Sequence, residues 1–301
     1  MTAQITIIVL FYNQERYVSG LLENIREANR NVDAKVVIVD DCSTDNTLTC
    51  VEKWLEIHRE ISWKVIKNPL NLGISGSILK AIEVVDTKWI KCHAGDDLFS
   101  LTGIDEFDAI SKLYNPDKTL IMSAVNIINE ANEVVGYRDN PSQLTFSKWF
   151  IDVAYYTNPL LSFSLLAGPN VYKNAITAMY YRNVEDWPLL MYAVKSDMKF
   201  KLVEKKLVDY RIHEKSIMAH TRSKSHAMTD HQKAYEEEII GILKENLRFA
   251  PTMSSRYGAY IQILTYKYRS TNAATIIRFL KLLNIKYLIF RVLILLRGKK
   301  V

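Results

Sequence analysis

Ile5-Thr-Ile-Ile-Val-Leu10 is a continuous, mostly β-branched run. A strand with one wet face alternates apolar and polar residues. A run without alternation fits a strand covered on both sides, as in a parallel sheet coated by crossover helices. The pattern recurs in Lys35-Val-Val-Ile-Val39, in Trp63 to Lys67 and in Lys88 to Cys92. Between these runs, Gln14 to Asn29 carries Val18, Leu21, Leu22 and Ile25 at helical spacing, and Asn46 to His58 and Ser75 to Val85 read as two further helices. Three β-α units in succession specify an α/β, doubly wound sheet.

Open α/β sheets bind ligands at the carboxyl ends of their strands, so the strand ends carry the functional reading. The first strand stops at Phe11-Tyr-Asn13 and the second at Asp40-Asp41-Cys-Ser-Thr-Asp45, where Asp45 is placed to cap the next helix. The stretch Lys88-Trp-Ile-Lys-Cys-His-Ala-Gly-Asp96-Asp97 runs a strand into two adjacent carboxylates, with Gly95 loosening the backbone before them. Two acids there can hold a divalent cation and, through it, a diphosphate. Taken alone they read equally as solvated loop acids.

Past Asp97 the regularity weakens. Leu120 to Ile128 and Val134 to Tyr137 read as strands around an Asn129–Asn132 turn, and Phe146 to Tyr156 as a helix. Pro159 to Tyr172, apolar with small residues, reads as a cavity lining. Glu185-Asp186-Trp187-Pro188 opens a helix to about Lys195, with acids at the positive end of its dipole, and Lys199 to Tyr210 is a strand leading to Arg211-Ile-His213.

From about Thr221 the chain turns helical, with amphipathic segments at Gln232 to Asn246 and Tyr257 to Tyr268. Ala273 to Lys300 is dense in Ile, Leu and Phe yet punctuated by Arg278, Lys281, Lys286, Arg291 and Arg297. A membrane span needs about 20 apolar residues with few charges. A basic apolar helix instead suits the surface of an anionic bilayer, or packing on its own domain or a second copy.

The 301 residues, 49% apolar and 24% charged, describe a core-forming chain with room for one large domain plus an appendage. The net charge of +6 suits an anionic partner without naming it. Three cysteines, Cys42, Cys50 and Cys92, form no C-x-x-C pair, which speaks against a disulfide framework or a zinc site and for a reducing compartment. Ile5 to Leu10 is too short for a signal peptide, so a cytoplasmic location is expected.

Four separated features stand in one order: Ile7-Ile-Val-Leu-Phe-Tyr-Asn13, Val39-Asp-Asp-Cys-Ser-Thr-Asp-Asn-Thr47, Asn71-x-Gly73 ahead of Gly95-Asp-Asp97, and Glu185-Asp186-Trp187, followed by Tyr210-Arg-x-His213. Together, over roughly residues 4 to 216, they resemble the family 2 glycosyltransferases of bacterial surface polysaccharides. The resemblance implies the GT-A fold, a mixed sheet flanked by helices, over residues 1–220; residues 221–301 read, from their own pattern, as a C-terminal helical, basic extension expected at the cytoplasmic face of the membrane.

By resemblance, Tyr12 and Asn13 at the first strand's end, Asp40 and Asp41, and Asn71 and Gly73 form the nucleotide-sugar site. Tyr12 packs on uracil and Asp41 accepts its ring N–H, an acceptor-only group meeting an imide donor; the residues alone allow a helix-capping loop instead. Asp97 and His213 are implied as ligands of Mn²⁺ or Mg²⁺, Asp96 as a ribose or donor-sugar contact, and Arg211 as a phosphate neutraliser. Which of Asp96 and Asp97 touches metal stays open, because an earlier acid of the family pattern is Ala94 here. An arginine that relatives carry after Asn-x-Gly is also missing, which leaves Ser75, Ser77 or Lys80 to face the diphosphate.

Asp186 is implied as the general base, with Glu185 in support, and residues 159–170 with Trp187 as the acceptor pocket. The implied reaction is inverting transfer from a nucleotide sugar, UDP-linked, to a lipid-linked saccharide of capsule or O-antigen type. The alternative is a non-catalytic nucleotide-sugar or glycan-binding module. A sugar nucleotidyltransferase would open with a glycine-rich basic loop, which Phe11-Tyr-Asn-Gln-Glu15 lacks. Nucleic acid is not an expected partner, since the cations concentrate in an apolar tail.

Overall fold

The computed structural model describes residues 4–139, 148–158, 164–213 and 230–268, with 277, 280, 281 and 284. Four strands, β1 (Ile5–Phe11), β2 (Lys35–Asp40), β3 (Lys64–Lys67) and β4 (Trp89–Ala94), form a parallel sheet in the order β3-β2-β1-β4. The crossovers are α1 (Glu15–Ala28), α2 (Thr47–Ile57) and α3 (Gly73–Ile82). This is the expected β-α succession, with each helix a residue or more displaced from its sequence reading and α3 ending three residues earlier.

The rest of the chain builds a second, mixed sheet. β6 (Thr119–Ile128) pairs in parallel with β9 (Lys199–Arg211) and antiparallel with β7 (Val134–Arg138), while β5 (Leu98–Phe99) closes antiparallel on β9. β8 (Leu165–Leu166) pairs with β6, and Ala167 beside it exchanges both backbone hydrogen bonds with Ile90 of β4, at 2.7 and 3.2 Å. That bridge joins the two sheets, so the carboxyl ends of β1, β2, β4 and β9 come to one edge.

Helices α4 (Gly103–Ser111), α5 (Lys148–Ala154), α6 (Pro169–Ala178) and α7 (Asp186–Lys195) cover the strands. The segment 164–172 is not a cavity wall. Leu165, Leu166, Ala167, Val171 and Tyr172 are all buried in the core, as a short strand and a helix started by Pro169.

Two apolar clusters sandwich the sheet. One packs α1 and α2 with Val9, Ile38 and Trp89; the other packs α3, α6 and α7 with Ile8, Val37 and Ile90. Each fully buried Ile, Leu or Val contributes about 1.5–3 kcal/mol, which makes these clusters the main source of stability. Helices α8 (Asp230–Phe249) and α9 (Met253–Tyr268) do not stand apart. Their Ile239, Ile242, Leu243 and Ala259 belong to the second cluster. The apolar basic stretch 273–300 lies outside the described residues apart from Ile277, Leu280, Lys281 and Asn284.

Candidate active site

At the ends of β1 and β2 the loops are tied to each other. Asn13 adopts a left-handed conformation (φ 52°), which its short side chain tolerates by bonding locally. Its Oδ1 accepts the Thr44 amide at 2.7 Å, and its own N–H donates to Ser43 Oγ at 3.0 Å. Tyr12 next to it is 43% exposed, leaving its ring free to stack. Asp45 does accept the Thr47 amide at 2.9 Å, although the residue flanking the helix is Asn46.

Asp40 is buried, with Oδ2 accepting the Ser43 amide at 3.2 Å. Asp41 is committed to the fold more heavily. One oxygen accepts the Leu72 amide at 2.7 Å and Asn68 Nδ2 at 2.8 Å, and the other accepts the Gly73 amide at 2.8 Å. Asp41 therefore caps α3 from a distance, the helix-capping use that the residues alone allowed. Oδ2 retains a lone pair for one further donor.

Asp96 and Asp97 follow β4, and both line one cavity beside α1. Asp97 is 1% exposed, and its Oδ1 accepts the Arg211 amide at 2.9 Å, bracing the end of β9. Burial and the neighbouring Asp96 carboxylate push the Asp97 carboxyl well above the usual range. Asp96 is less deeply buried, its side chain 17% exposed, with Oδ2 at 2.8 Å from His213 Nε2. Arg211 is held by the backbone around it. Its Nε donates to the Asp96 carbonyl at 2.6 Å and Nη1 to the Asn129 carbonyl at 2.8 Å, and its guanidinium lies over Tyr17. It is a buried brace.

A cavity of about 250 Å³ opens on the α1 side of this group, lined by Arg16, Tyr17, Asp96, Glu130 and Arg211 among others. Gly95 is required here by close approach rather than flexibility. A Cβ would stand 2.3 Å from Phe11 Cδ1 and 2.4 Å from Gln14 Oε1.

The donor set suits a hard cation in part. A carboxylate oxygen and an imidazole nitrogen converge, a pair acceptable to Mn²⁺ and Mg²⁺, which habitually complete their shells with water and substrate phosphate. Among the described residues no group of three or more His, Cys, Asp or Glu side chains converges. A cation at Asp96 and His213 would thus depend on the phosphates it arrives with.

The second carboxylate pair starts α7. Asp186 Oδ1 accepts the Trp187 amide at 2.7 Å, and the Asn158 side chain also bonds to it. Burial raises Glu185 to about 8, with help from the charge on Asp186, while burial raises Asp186 to about 6 against those hydrogen bonds. At neutral pH the two carboxyls share one proton as a coupled pair. Trp187 is no acceptor-pocket wall: it is 3% exposed, and its indole N–H donates to the Ala154 carbonyl at 2.8 Å.

Of the three substitutes for the missing arginine, none serves. Ser75 and Ser77 are buried, Ser77 bonded to Asn68, and Lys80 pairs with Glu83 at 3.1 Å. The cation at this place is Arg182, which the sequence reading passed over. Its Nη2 donates to the Asn71 carbonyl at 2.7 Å and to Asn71 Oδ1, and its own carbonyl accepts the Ser75 amide at 3.1 Å. Gly73 (φ 74°) makes room for it, since a Cβ there would stand 2.3 Å from Arg182 Cγ. The available signal was position alone, four residues ahead of Asp186.

Residues 6–148 match Glycosyl transferase family 2. The chain carries a family 2 glycosyltransferase domain. Its fold is GT-A. A crystal structure of Staphylococcus aureus TarS residues 1–349 in complex with UDP-GlcNAc matches with a TM-score of 0.58 at 17% identity, over 90% of this chain and 74% of that one. The mannosyltransferase PcManGT of Pyrobaculum calidifontis, in complex with GDP-Man and Mn²⁺, matches with 0.51 at 14% identity, over 95% and 86%.

In sequence, the chain is 30% identical over 124 residues to the poly(ribitol-phosphate) beta-N-acetylglucosaminyltransferase TarS of S. aureus. It is 31% identical over 94 residues to a teichoic acid poly(glycerol phosphate) polymerase of Staphylococcus epidermidis. These matches cover 40% and 31% of this chain but only 21% and 13% of the relatives' own lengths.

Proposed function

We propose that the chain is an inverting glycosyltransferase that moves a sugar from a UDP-linked donor to a saccharide acceptor of a bacterial surface glycopolymer. The observation that carries this reading is the pairing of two carboxylate stations along one sheet edge: Asp96 with His213, and Glu185 with Asp186. The names of the relatives, which act on teichoic-acid-type polymers, support the acceptor class.

Tyr12 stacks on the base, and Asp41 takes the ring N–H on its remaining lone pair while holding the Leu72 and Gly73 amides. Asp40 supports that loop from below through Ser43. Asp96 and His213 would hold Mn²⁺ or Mg²⁺, and Asp97, buried, positions the turn through the Arg211 amide. This gives the metal role to Asp96, a choice that the resemblance left open between the two aspartates, and leaves Asp97 a positioning role. When bound, the cation neutralises the charge that develops on the leaving diphosphate.

Asp186 accepts the proton of the acceptor hydroxyl. The hydroxyl oxygen forms the new bond to the anomeric carbon while the bond from that carbon to the diphosphate oxygen breaks, and UDP leaves. A base near 6 is mostly charged at pH 7 yet still basic enough to take that proton. Protonated Glu185 carries no competing charge.

A lipid-linked acceptor and a peripheral place at the cytoplasmic face of the membrane complete the proposal. Their support is the basic apolar pattern between Arg278 and Arg297. Among the described residues no helix is long and apolar enough to cross a membrane.

The test is calorimetric binding of UDP with and without Mn²⁺. Wild-type protein should bind UDP in a Mn²⁺-dependent way, Asp96→Ala should lose that dependence, and Asp97→Asn should keep it. Binding of GDP in place of UDP would overturn the base assignment. No binding of any nucleoside diphosphate would return the chain to the non-catalytic alternative. Equal loss in Asp96→Ala and Asp97→Asn would undo the assignment of positions.

A further inference from the structure

We infer that Arg182 binds the diphosphate of the nucleotide-sugar donor, a role that rests on the donor site proposed above.

The site as described is crowded with carboxylates: Asp40, Asp41, Asp96, Asp97, Glu185 and Asp186. A diphosphate adds more negative charge to the same edge, so cations must face it. The cations around the site are mostly spent. Arg211 is buried on the Asp96 and Asn129 carbonyls, and Arg16 pairs with Glu130 at 2.7 Å. Lys80 pairs with Glu83, and Lys91 is buried with its ammonium on the Cys92 carbonyl at 2.7 Å.

The start of α3 is spent as well. The Leu72 and Gly73 amides go to Asp41, and the Ser75 amide goes to the Arg182 carbonyl. Phosphate recognition there falls to a side chain.

Arg182 is that side chain. It is exposed and has no carboxylate partner among the described residues. Its Nη2 is fixed on Asn71, so the guanidinium plane is set before a ligand arrives, and Nε and Nη1 bond to no described residue. A planar fork with unspent N–H groups matches phosphate oxygens in two-point contact, at low entropic cost when already oriented. Arg182 also stands four residues before Asp186, in the segment that joins the donor end of the sheet edge to the proposed base.

A purely structural Arg182, serving only to hold the Asn71–Gly73 turn, would support uridine monophosphate and diphosphate alike. A phosphate ligand would favour the diphosphate. The experiment is calorimetry of UDP and UMP with Mn²⁺ on wild-type protein, R182A and R182K, with apo melting temperatures alongside. R182A should weaken UDP at least about tenfold and UMP less than about threefold, and R182K should recover part of the loss. Apo melting should barely move, since the side chain is exposed.

An equal fall for UDP and UMP, or no fall, overturns the assignment of Arg182 and leaves the donor site standing. Failure of wild-type protein to bind any nucleoside diphosphate sinks the donor site and this assignment together.

Discussion

At neutral pH the Glu185–Asp186 pair shares one proton, because burial raises both carboxyls and the charge on Asp186 raises Glu185 further. A base is active only when unprotonated, so turnover should fall as pH drops through about 6 and hold above it. Asp186→Asn should lower kcat by about 10²–10⁴-fold, the usual scale of general-base catalysis, and leave UDP affinity nearly unchanged. Steady-state kinetics from pH 5 to 8 checks both, and a profile without a rising limb near 6 removes Asp186 from the role. At this scale the sequence showed which carboxylates sit at strand ends and helix starts, since position follows from pattern. It did not show their directions. Asp96 and Asp97 are neighbours in a tight turn, and nothing in the order of residues marks which of them is buried on the end of β9 and which bonds His213. Arg182 was illegible for a related reason: its partner Asn71 is 111 residues away.

The entry to α3 is the element on which the donor end depends. Three backbone amides there are taken by Asp41 and the Arg182 carbonyl, and Gly73 adopts φ 74° with the Arg182 carbonyl oxygen 2.6 Å from where a Cβ would be. Gly73→Ala adds a left-handed penalty to a steric one, and the two together should cost about 2–4 kcal/mol in urea unfolding. A cost under about 0.5 kcal/mol, within the range of ordinary surface substitutions, would mean that the turn simply yields. The first four strands and their helices were readable because each run is apolar enough to demand cover on both faces. β8 and α6 were not. A short buried strand followed by a buried helix leaves one apolar stretch with no period to separate them, and such a stretch passes for a pocket lining. The parallel pairing of β6 with β9 spans some 80 residues, a distance over which local pattern carries no information.

For the whole molecule, the sheet and the C-terminal helices share one core. Ile242 and Leu243 of α8 are fully buried in the cluster that also holds Ile8, Ile90 and Leu190. A chain ended at residue 220 would expose that face, and each buried Leu or Ile lost with a cavity costs about 2–5 kcal/mol. Against a total stability of about 5–15 kcal/mol, such a chain should fail to melt cooperatively by circular dichroism. A sharp two-state melt would show instead that residues 1–220 fold on their own. Composition gave the size of the core but not its membership, because amphipathic helices look the same whether they seal a core or lie on another surface.

Glu238 of α8 accepts the Asn183 amide at 2.8 Å and its side chain at 3.0 Å, and Glu245 takes the Tyr181 hydroxyl at 3.0 Å. Two residues ahead of the proposed catalytic carboxylates, Tyr181 and Asn183, are thus moored to a helix 55 to 64 positions downstream. In a random-mutagenesis screen for lost transfer, Glu238 and Glu245 should score alongside the strand-end aspartates, and a map of activity along the chain would show a second peak where no substrate is ever touched.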